Sequence, residues 1–566
     1  MASLPRNAKT EDEEYQNLLE LSQNQAKLIE EQAARLQAYE EAYEGIEIPG
    51  SSAFGIEPRQ LDRFTATFPG LPTLEQPLDP HRPLRICIIT PDIVGPVRNG
   101  GIGTAYRYAA DLLTSAGHQV TILYILGNHS ENGPVEEWVK YYADRGVTFV
   151  PMPRPEIETG FGDNGRAVRF AYGAYCWLKS QEPFDLVHLT EWRGGGYFCM
   201  LAKRLGLAFQ DTLFCVKCSS PSLWNRAGGS THIDTHIELG ISFMERRSVE
   251  LGDVVVSGSL HLLRWMLQHG YRLNRERCHV QPNIMLGPVS PTETSNSPKT
   301  RNAHQPNDHS TSRLDRKKFP IDEIVFFGRL EPRKGIFIFC DALSRLVAQD
   351  QVPRKVVFLG KVPTNFPARD IINERAKSWP FEVEIVSHLS QLEVVDFLKQ
   401  GNRLAVIASL LENSSFAIYE CLLHRIPFIL CRSGGSPELV DKEDHAQVLF
   451  DPHPGDLQKL LGQVLRDGAL LPQPSFDNDR NNQTWLDWHA WLSQPGQIQK
   501  MSNAYPAPTD PKDPLVSVCI AHFNRPELVR QAIESVKRQS YRNFEVVLVD
   551  DGSPGEENAQ FLDQLE

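Results

Sequence analysis

The stretch that decides the fold is LRICIITPDIVGPVRNGGIGTAYRYAADLLTSAGHQVTILYIL, residues 84–126. It begins with a continuous apolar, β-branched run, passes through a glycine-rich loop into a segment of helical periodicity, and ends in a second apolar run. Continuous apolar strands joined by a helix are typical of a parallel sheet that is covered on both faces. The stretch therefore predicts the first strand–helix–strand unit of a doubly wound α/β domain.

The same alternation of apolar strands and helical segments continues in two blocks. It runs through residues 84–284 and resumes over residues 320–495, so each block is predicted to form one Rossmann-like domain. Residues 285–319 carry almost no apolar side chains, and such a segment cannot bury enough surface to offset the entropy of ordering it. We therefore expect two doubly wound domains, separated in sequence by a disordered insert and in space by a cleft.

The remaining segments flank these two domains. Residues 1–45 are rich in glutamine and glutamate and predict a long helix, for which an oligomer-forming coiled coil and a solvated tail both stay open. Residues 46–83 and 496–514 are rich in proline and are interpreted as linkers. Residues 515–566 start a further α/β unit but are too few to bury a core, so we expect a truncated fragment of a longer polypeptide.

A tryptophan stripe lies near the end of the second block, in TWLDWHAWL (484–492). Trp485, Trp488 and Leu492 share one face of a helix at this spacing. Aromatic side chains so arranged are typical of packing and not of ligand binding. We expect a closing helix that docks back on the body of the protein.

Composition excludes several classes of function. The 566 residues carry a net charge of −13, which disfavours a protein that coats nucleic acid. The sequence contains neither an apolar run long enough for a membrane span nor a secretory signal. Cys215 and Cys218 have the spacing of a zinc half-site, but without a second pair they are interpreted as reduced strand cysteines. The sequence indicates a cytoplasmic protein without a metal site.

Loops that follow strands are the places to look for a ligand, because ligands of open α/β sheets bind at the carboxyl ends of the strands. Gly100, Gly101 and Gly103 lie in such a loop, directly before a helix, where backbone N–H groups can approach a phosphate; a simple tight turn is equally open. The spacing is not GxGxxG and no acidic residue ends the next strand. A dinucleotide-dependent dehydrogenase is therefore disfavoured.

The first strand of the second block ends in FFGRLEPRKGI (326–336). Arg329 and Lys334 leave the end of this strand and precede a helix. A guanidinium fork next to an ammonium group is suited to holding a diphosphate. We expect both side chains to lie at the edge of the cleft.

Two carboxylates occupy LLENSSFAIYE (410–420). A helix that begins near Ser414 or Ser415 places Glu412 in the preceding loop and Glu420 about one and a half turns into the helix. Carboxylates at a cleft can accept hydrogen bonds from sugar hydroxyls. The free N–H groups at the start of this helix are predicted to face a phosphate; they belong to Asn413, Ser414, Ser415 and Phe416.

The motifs FGRLEPRKG (327–335), ENSSFAIYE (412–420) and SGGSPELV (433–440) together resemble the retaining glycosyltransferases of family 4. The resemblance covers about residues 84–495. It implies the GT-B fold and the transfer of a hexose, with retention, from a UDP- or GDP-linked sugar to a saccharide or lipid-linked acceptor. The first domain would be the acceptor side and the second the donor side, and no metal would be obligatory.

The resemblance also implies roles for individual residues. Arg329, Lys334 and Glu412 would form the catalytic set, with the two cations on the diphosphate leaving group and Glu412 on the hydroxyls of the donor sugar. Glu420 would contact the ribose. The glycine loop that begins at Gly100 would lie near the diphosphate and the acceptor.

One departure from the family concerns the acceptor side. Many relatives carry a histidine where this chain has Ser219, which cannot act as an acid or base. His188, in FDLVHLTEW (184–192), matches another family position, although a structural role is favoured over a catalytic one. Glu191 is placed next to the acceptor.

In the segment 515–566, the motifs VSVCIAHFNRPELVRQAIESV (516–536) and FEVVLVDDGS (544–553) resemble the beginning of family 2 glycosyltransferases, which have the GT-A fold. Asp550 and Asp551 would then contact a nucleotide. The metal-binding motif and catalytic base of that family would lie beyond Glu566. We expect this fragment to be inactive, with a divalent metal required only in a complete domain.

Two other functions stay open at this point. A nucleotide-sugar epimerase could use the same architecture, although Ser219 weakens that reading. A non-catalytic, sugar-nucleotide-binding scaffold could use the N-terminal helix to assemble a complex. For each function the expected partners include a sugar nucleotide and exclude nucleic acid, and peripheral association with a membrane also stays open.

Overall fold

The computed structural model describes residues 66–72, 82–97, 100–153, 165–228, 232–233, 235–287, 318–363, 366–389, 391–502 and 515–565. The predicted N-terminal helix and most of the linkers and of the insert lie outside these residues. Internal contacts divide the chain at residue 504 into two compact units. None of the helices in the described ranges combines the length and the apolar character that a membrane span needs.

As far as the structure describes it, the larger unit contains two parallel sheets, and the first has seven strands. These are β1 (Arg85–Thr90), β2 (Gln119–Tyr124), β3 (Thr148–Pro151), β4 (Leu186–Thr190), β5 (Leu213–Cys218), β6 (Val254–Ser257) and β7 (Cys278–Val280). Their order is β3-β2-β1-β4-β5-β6-β7. The order in which strands are added to the sheet reverses between β1 and β4, and ligands of open α/β sheets bind at the carboxyl ends of the strands beside such a switch point.

Within the described part of the first domain, seven helices accompany the sheet. They are α1 (Gly101–Ser115), α2 (Val135–Ala143), α3 (Arg166–Lys179), α4 (Tyr197–Arg204), α5 (Ser222–Gly228), α6 (His236–Leu251) and α7 (Leu260–Gln268). Two buried apolar clusters line the sheet, one including Ile86 and Ile88 and the other Cys87 and Ile89. Alternate residues of β1 thus enter different clusters, which is why the strand is apolar throughout.

The second sheet has six strands and the same doubly wound order. They are β8 (Glu323–Phe327), β9 (Lys355–Leu359), β10 (Glu382–Val386), β11 (Arg403–Ile407), β12 (Phe428–Cys431) and β13 (Leu449–Phe450), in the order β10-β9-β8-β11-β12-β13. The accompanying helices are α8 (Ile336–Val347), α9 (Ala368–Ala376), α10 (Gln391–Lys399), α11 (Phe416–Leu423), α12 (His445–Val448) and α13 (Pro454–Asp467). The two Rossmann-like domains expected from the sequence, and with them the GT-B architecture, are confirmed.

The predicted closing helix is α14 (Asn478–Leu492), and it packs on the first sheet. Trp485 and Trp488 are 3% and 0% exposed, and Trp485 Nε1 donates to the backbone oxygen of Pro282 at 3.1 Å. The expected linker at 496–514 begins later than the sequence indicated, because α15 (Gln497–Met501) follows and buries Ile498 in the same core.

Part of the other predicted linker, 46–83, is also packed against the first domain. Ala66 and Leu71 are buried, and the backbone N–H of Val280 in the edge strand β7 donates to the backbone oxygen of Pro69 at 2.8 Å. The segment supplies apolar side chains and a hydrogen-bond partner to a strand edge, and this ordering was not apparent from its proline and glycine content.

Polar contacts join the two domains at the carboxyl edges of their sheets. The carboxylate of Glu438 accepts from the N–H groups of Leu260 and His261, at 2.7 and 2.8 Å, and so caps helix α7 of the other domain. The N–H of Asn283 donates to the hydroxyl of Tyr419 at 2.9 Å. These contacts hold segments that follow the strands of the two sheets against each other.

The smaller unit contains a parallel pair of strands, β14 (Val516–His522) and β15 (Phe544–Asp550), with helices α16 (Pro526–Lys537) and α17 (Glu556–Asp563). Its buried apolar side chains, among the described residues, are Val529 and Phe561. Other apolar side chains of the strands are exposed, including Val516, Val547 and Val549.

Candidate active site

An ion pair between Lys334 and Glu412 lies at the centre of the candidate site. Lys334 ends a short 3₁₀ helix after β8, and Glu412 lies in the loop after β11, so the two neighbouring strands at the switch point of the second sheet each supply one partner. Burial would raise the pKa of Glu412, but the cations Lys334 and Arg333 outweigh burial and hold it below its usual value. Glu412 is therefore an ionised hydrogen-bond acceptor.

Two further charged residues complete this cluster, and the sequence analysis missed both. Glu331 Oε1 lies 3.3 Å from Arg329 Nη2 and 3.1 Å from Arg333 Nη2. Arg333 Nη1 is 3.9 Å from Glu412 Oε1. The available signal was their position between Arg329 and Lys334 in the same motif. Arg329 is 54% exposed, so its guanidinium is accessible for an anionic ligand.

The loop of the SGGSPELV motif holds the backbone of Glu412. The N–H of Gly435 donates to the backbone oxygen of Glu412 at 2.8 Å. Gly434 adopts a φ of 58°, and a Cβ at this position would lie 2.0 Å from the same oxygen. Only glycine accommodates both the left-handed backbone and this close approach.

Helix α11 begins at Phe416 with Ser415 as the N-cap residue, so Glu412 precedes the helix as predicted. The Ser415 side chain makes no capping hydrogen bond, whereas Ser414 Oγ lies 2.7 Å from the hydroxyl of Tyr419. Glu420 is 8% exposed. Burial raises the pKa of Tyr108 in α1, and the charge of Glu420 adds to that rise. The proposed contact of its carboxylate with a ribose stays a prediction.

The glycine loop meets the start of α11. A Cβ on Gly101 would lie 3.0 Å from Cδ2 of Phe416, which brings the first turns of α1 and α11 together across the domain boundary. Asp92, which the sequence analysis missed, accepts a hydrogen bond from the N–H of Gly100 at 3.0 Å. Burial raises the pKa of Asp92 to about 6, although hydrogen bonds from Gly100 and Gly103 oppose the rise. The N-terminus of α1 thus already faces a carboxyl group.

Ser219 lies where the two domains touch, and Glu191 holds it there. Both carboxylate oxygens of Glu191 accept from the N–H of Ser219 at 2.9 Å. Asn413 Nδ2 donates to the backbone oxygen of Ser219, also at 2.9 Å. Burial raises the pKa of the fully buried Glu191 to about 7. Glu191 therefore supports the loop that follows β5, and direct contact between its carboxylate and an acceptor stays a prediction.

The structure does not bring His188 into this cluster. His188 is 5% exposed, and its Nε2 lies 3.0 Å from Nε2 of His489 in the closing helix. Burial lowers the pKa of His188 to about 3. This position agrees with the structural role that the sequence analysis favoured over a contact with the acceptor.

In the smaller unit, Asp550 accepts from the hydroxyl and the N–H of Ser553, at 2.5 and 3.0 Å. The hydrogen bond from the Ser553 hydroxyl lowers the pKa of Asp550. Asp551 is exposed. Throughout the described residues, no three His, Cys, Asp or Glu side chains are grouped so that they could hold a metal ion.

Family comparisons assign most of the chain to glycosyltransferase domains. Residues 100–283 match the "Glycosyl transferase 4-like domain" and residues 312–478 match "Glycosyl transferases group 1". Residues 517–566 match "Glycosyl transferase family 2". Comparison with curated proteins gave no match.

Solved structures with similar folds include three proteins of low sequence identity. Sucrose-phosphate synthase from Thermosynechococcus elongatus is 16% identical over 73% of this chain and 98% of that chain, with a TM-score of 0.48. The catalytic domain of starch synthase IV from Arabidopsis thaliana, bound to ADP and acarbose, is 14% identical over 73% and 100%, with a TM-score of 0.48. Anabaena HepE in complex with UDP and glucose is 14% identical over 74% and 97%, with a TM-score of 0.44.

The matched domains define the class of this protein. The 4-like and group 1 models fall on the first and second sheets, and the charged cluster lies at the edge where these sheets meet. The protein is a glycosyltransferase.

Proposed function

We propose that the protein transfers a hexose, with retention, from a UDP- or GDP-linked sugar to a saccharide or lipid-linked acceptor. The observation that carries this proposal is the Lys334–Glu412 ion pair, flanked by Arg333 and by the exposed Arg329. This cluster supplies both kinds of group that a diphosphate sugar needs: cations for the phosphates and an ionised carboxylate for the sugar hydroxyls.

The geometry supports a division of labour within this cluster. When the bond between the anomeric carbon and the phosphate oxygen breaks, negative charge develops on the leaving nucleoside diphosphate, and Arg329 and Lys334 would stabilise it. Glu412 would accept hydrogen bonds from hydroxyls of the donor sugar and so orient the anomeric carbon. The acceptor hydroxyl oxygen would then bond to that carbon on the face from which the phosphate departs, and its proton would pass to the departing phosphate oxygen.

Supporting roles follow from position. Glu420 lies on α11, the helix whose first residues border the proposed donor site, and its carboxylate would accept hydrogen bonds from ribose hydroxyls. The N–H groups of residues 413–416 and of the glycine loop would face the diphosphate, although Asp92 also occupies the N-terminus of α1. In the smaller unit, Asp550 and Asp551 would contact a nucleotide.

The test is product formation from a panel of UDP- and GDP-sugars, with simple glycosides and a lipid-linked sugar as acceptors. We expect release of the nucleoside diphosphate with one donor, and a product whose anomeric configuration, read by NMR, matches that of the donor. Inversion would contradict retention. Conversion of the donor to its epimer would support an epimerase, and binding of a donor without any turnover would support a scaffold.

A further inference from the structure

Arg193 has a backbone conformation that arginine rarely adopts. It lies in the short 3₁₀ segment Trp192–Gly194 after β4, with φ 60° and ψ 10°. A left-handed backbone is strained for a residue with a Cβ, and such strain concentrates at functional positions. Gly194, which follows, is also left-handed, and a Cβ on it would lie 2.4 Å from the Cβ of Met244.

Several contacts impose this conformation on Arg193. Its N–H donates to Oε1 of Glu245 at 2.8 Å. The same carboxylate accepts from the N–H and the hydroxyl of Ser222, both at 2.7 Å. Glu245 is fully buried in α6. Through these hydrogen bonds its carboxylate ties the loop after β4 to the segment after β5. The strained residue is held in place by buried structure and is not an incidental feature of a mobile loop.

The side chain of Arg193 is presented to solvent. It is exposed, and its guanidinium lies over the Trp192 ring, 4.7 Å from the ring centroid. Among the described residues, no carboxylate forms an ion pair with this guanidinium. Stacking on an indole orders the guanidinium while its N–H groups stay available for an oxyanion.

The loop that carries Arg193 borders the acceptor side of the proposed site. Arg193 follows Glu191 by two residues, and Glu191 holds the N–H of Ser219. The backbone oxygen of Ser219 in turn accepts from Asn413, the residue after Glu412. One continuous series of contacts thus leads from the donor-side carboxylate to the loop that carries Arg193.

We propose that Arg193 determines acceptor specificity by binding an oxyanion of the acceptor, either the carboxylate of an acidic sugar or a phosphate of a lipid-linked one. The inference rests on the proposed function, because it names the acceptor class of the same site. A planar guanidinium binds either oxyanion through two parallel hydrogen bonds, and such charge-assisted bonds are stronger than neutral ones. Trp192 acts as a positioning residue for the guanidinium.

The experiment compares matched acceptors in wild type and Arg193→Asn. Asparagine tolerates a left-handed backbone, so the substitution removes the cation without adding strain. One pair is 4-nitrophenyl glucuronide and 4-nitrophenyl glucoside, and the second is glucose linked to farnesyl through a diphosphate or directly. Wild type is expected to prefer the anionic member of one pair by about 10- to 100-fold in kcat/KM. The pair that shows the preference identifies the source of the oxyanion.

Arg193→Asn is expected to bring this ratio to within about 2-fold of unity, and Arg193→Lys to give an intermediate ratio because it keeps the charge and loses the fork. The matched control is Arg425→Asn. Arg425 is also exposed and left-handed, with φ 55°, but it precedes β12 at the opposite edge of the second sheet. Its variant is expected to keep the wild-type ratio.

A wild-type ratio near one in both pairs, or an unchanged ratio in Arg193→Asn, would overturn the inference. Nucleoside diphosphate release without acceptor tests the proposed function separately. Calorimetric binding of the free glucuronide tests the acceptor class without turnover. If no donor is turned over but the glucuronide binds wild type and not Arg193→Asn, the proposed function fails and the acceptor class stands.

Discussion

Asn413 donates from its side-chain nitrogen to the backbone oxygen of Ser219 at 2.9 Å, and the two residues belong to different domains. The same nitrogen lies 3.1 Å from the backbone oxygen of Cys218, and Asn413 Oδ1 accepts from the hydroxyl of Ser259 at 2.6 Å. Asn413 is 6% exposed. One buried amide next to Glu412 therefore fixes the donor-side loop against the acceptor-side loops.

Asn413→Asp is expected to destabilise this contact between the domains. The substitution keeps the shape of the side chain but replaces the donor by an oxygen that faces two carbonyl groups. Leaving buried acceptors unpaired costs about 1–3 kcal/mol each, so the free energy of unfolding should fall by about 2 kcal/mol or more. Urea unfolding measures the change. Asn402→Asp is the control, because Asn402 is exposed and bonds within one domain; an equal loss there would contradict the argument.

Arg329→Ala is expected to lower turnover of the donor by about 100-fold or more, because a cation that stabilises developing charge on the leaving group is lost. Steady-state release of the nucleoside diphosphate measures it. Arg354→Ala is the matched control, since Arg354 is 68% exposed and also pairs with a carboxylate, that of Glu323, at the amino ends of the strands. Equal rates for Arg329→Ala and wild type would refute the diphosphate role.

Gly434→Ala is expected to displace Glu412 and to lower turnover, because the new Cβ would meet the Glu412 backbone oxygen at 2.0 Å. Gly401→Ala is the control, because it introduces the same backbone strain without this clash. Gly401 also has a left-handed backbone, with φ 69°, but nothing lies within 4 Å of a Cβ there. It should lose about 1 kcal/mol of stability and keep its activity. Similar kinetics for both variants would mean that Gly434 does not position Glu412.

Buried histidines should make the protein sensitive to acid. Burial lowers the pKa of His188 to about 3, and the Lys217 charge adds to the shift; burial also lowers the pKa of His489. The folded state then binds fewer protons than the unfolded state below the ordinary histidine pKa of about 6.5. The stability contributed by each neutral histidine is thus complete above about pH 6.5 and is lost as the pH falls from there towards 3, by up to about 1.4 kcal/mol per pH unit.

His188→Gln removes one of these groups and should reduce the fall in unfolding free energy between pH 6.5 and 5 by about 1–2 kcal/mol relative to wild type. Denaturant titrations at several pH values measure the two slopes. His236→Gln, at the exposed start of α6, is the control and should retain the wild-type slope. Parallel slopes for wild type and His188→Gln would show that His188 is not buried as a neutral group.

The sequence by itself determined the two doubly wound domains, the closing helix and the loop position of Glu412. These features depend on local signals: continuous apolar strands, helical spacing and an N-cap serine. The position of Arg329 and Lys334 at the carboxyl edge of the second sheet was also predictable, because both follow its first strand and the carboxyl ends of parallel strands meet at one edge.

Tertiary structure alone decided the partners of these residues. His188 meets His489 across 301 positions of sequence, and Asn413 meets Ser219 across 194. The carboxyl group of Asp92 at the start of α1 and the left-handed backbone of Arg193 leave no periodic pattern in the sequence. Such contacts depend on how the two domains pack and on which buried groups need hydrogen bonds, and no local spacing encodes either of these.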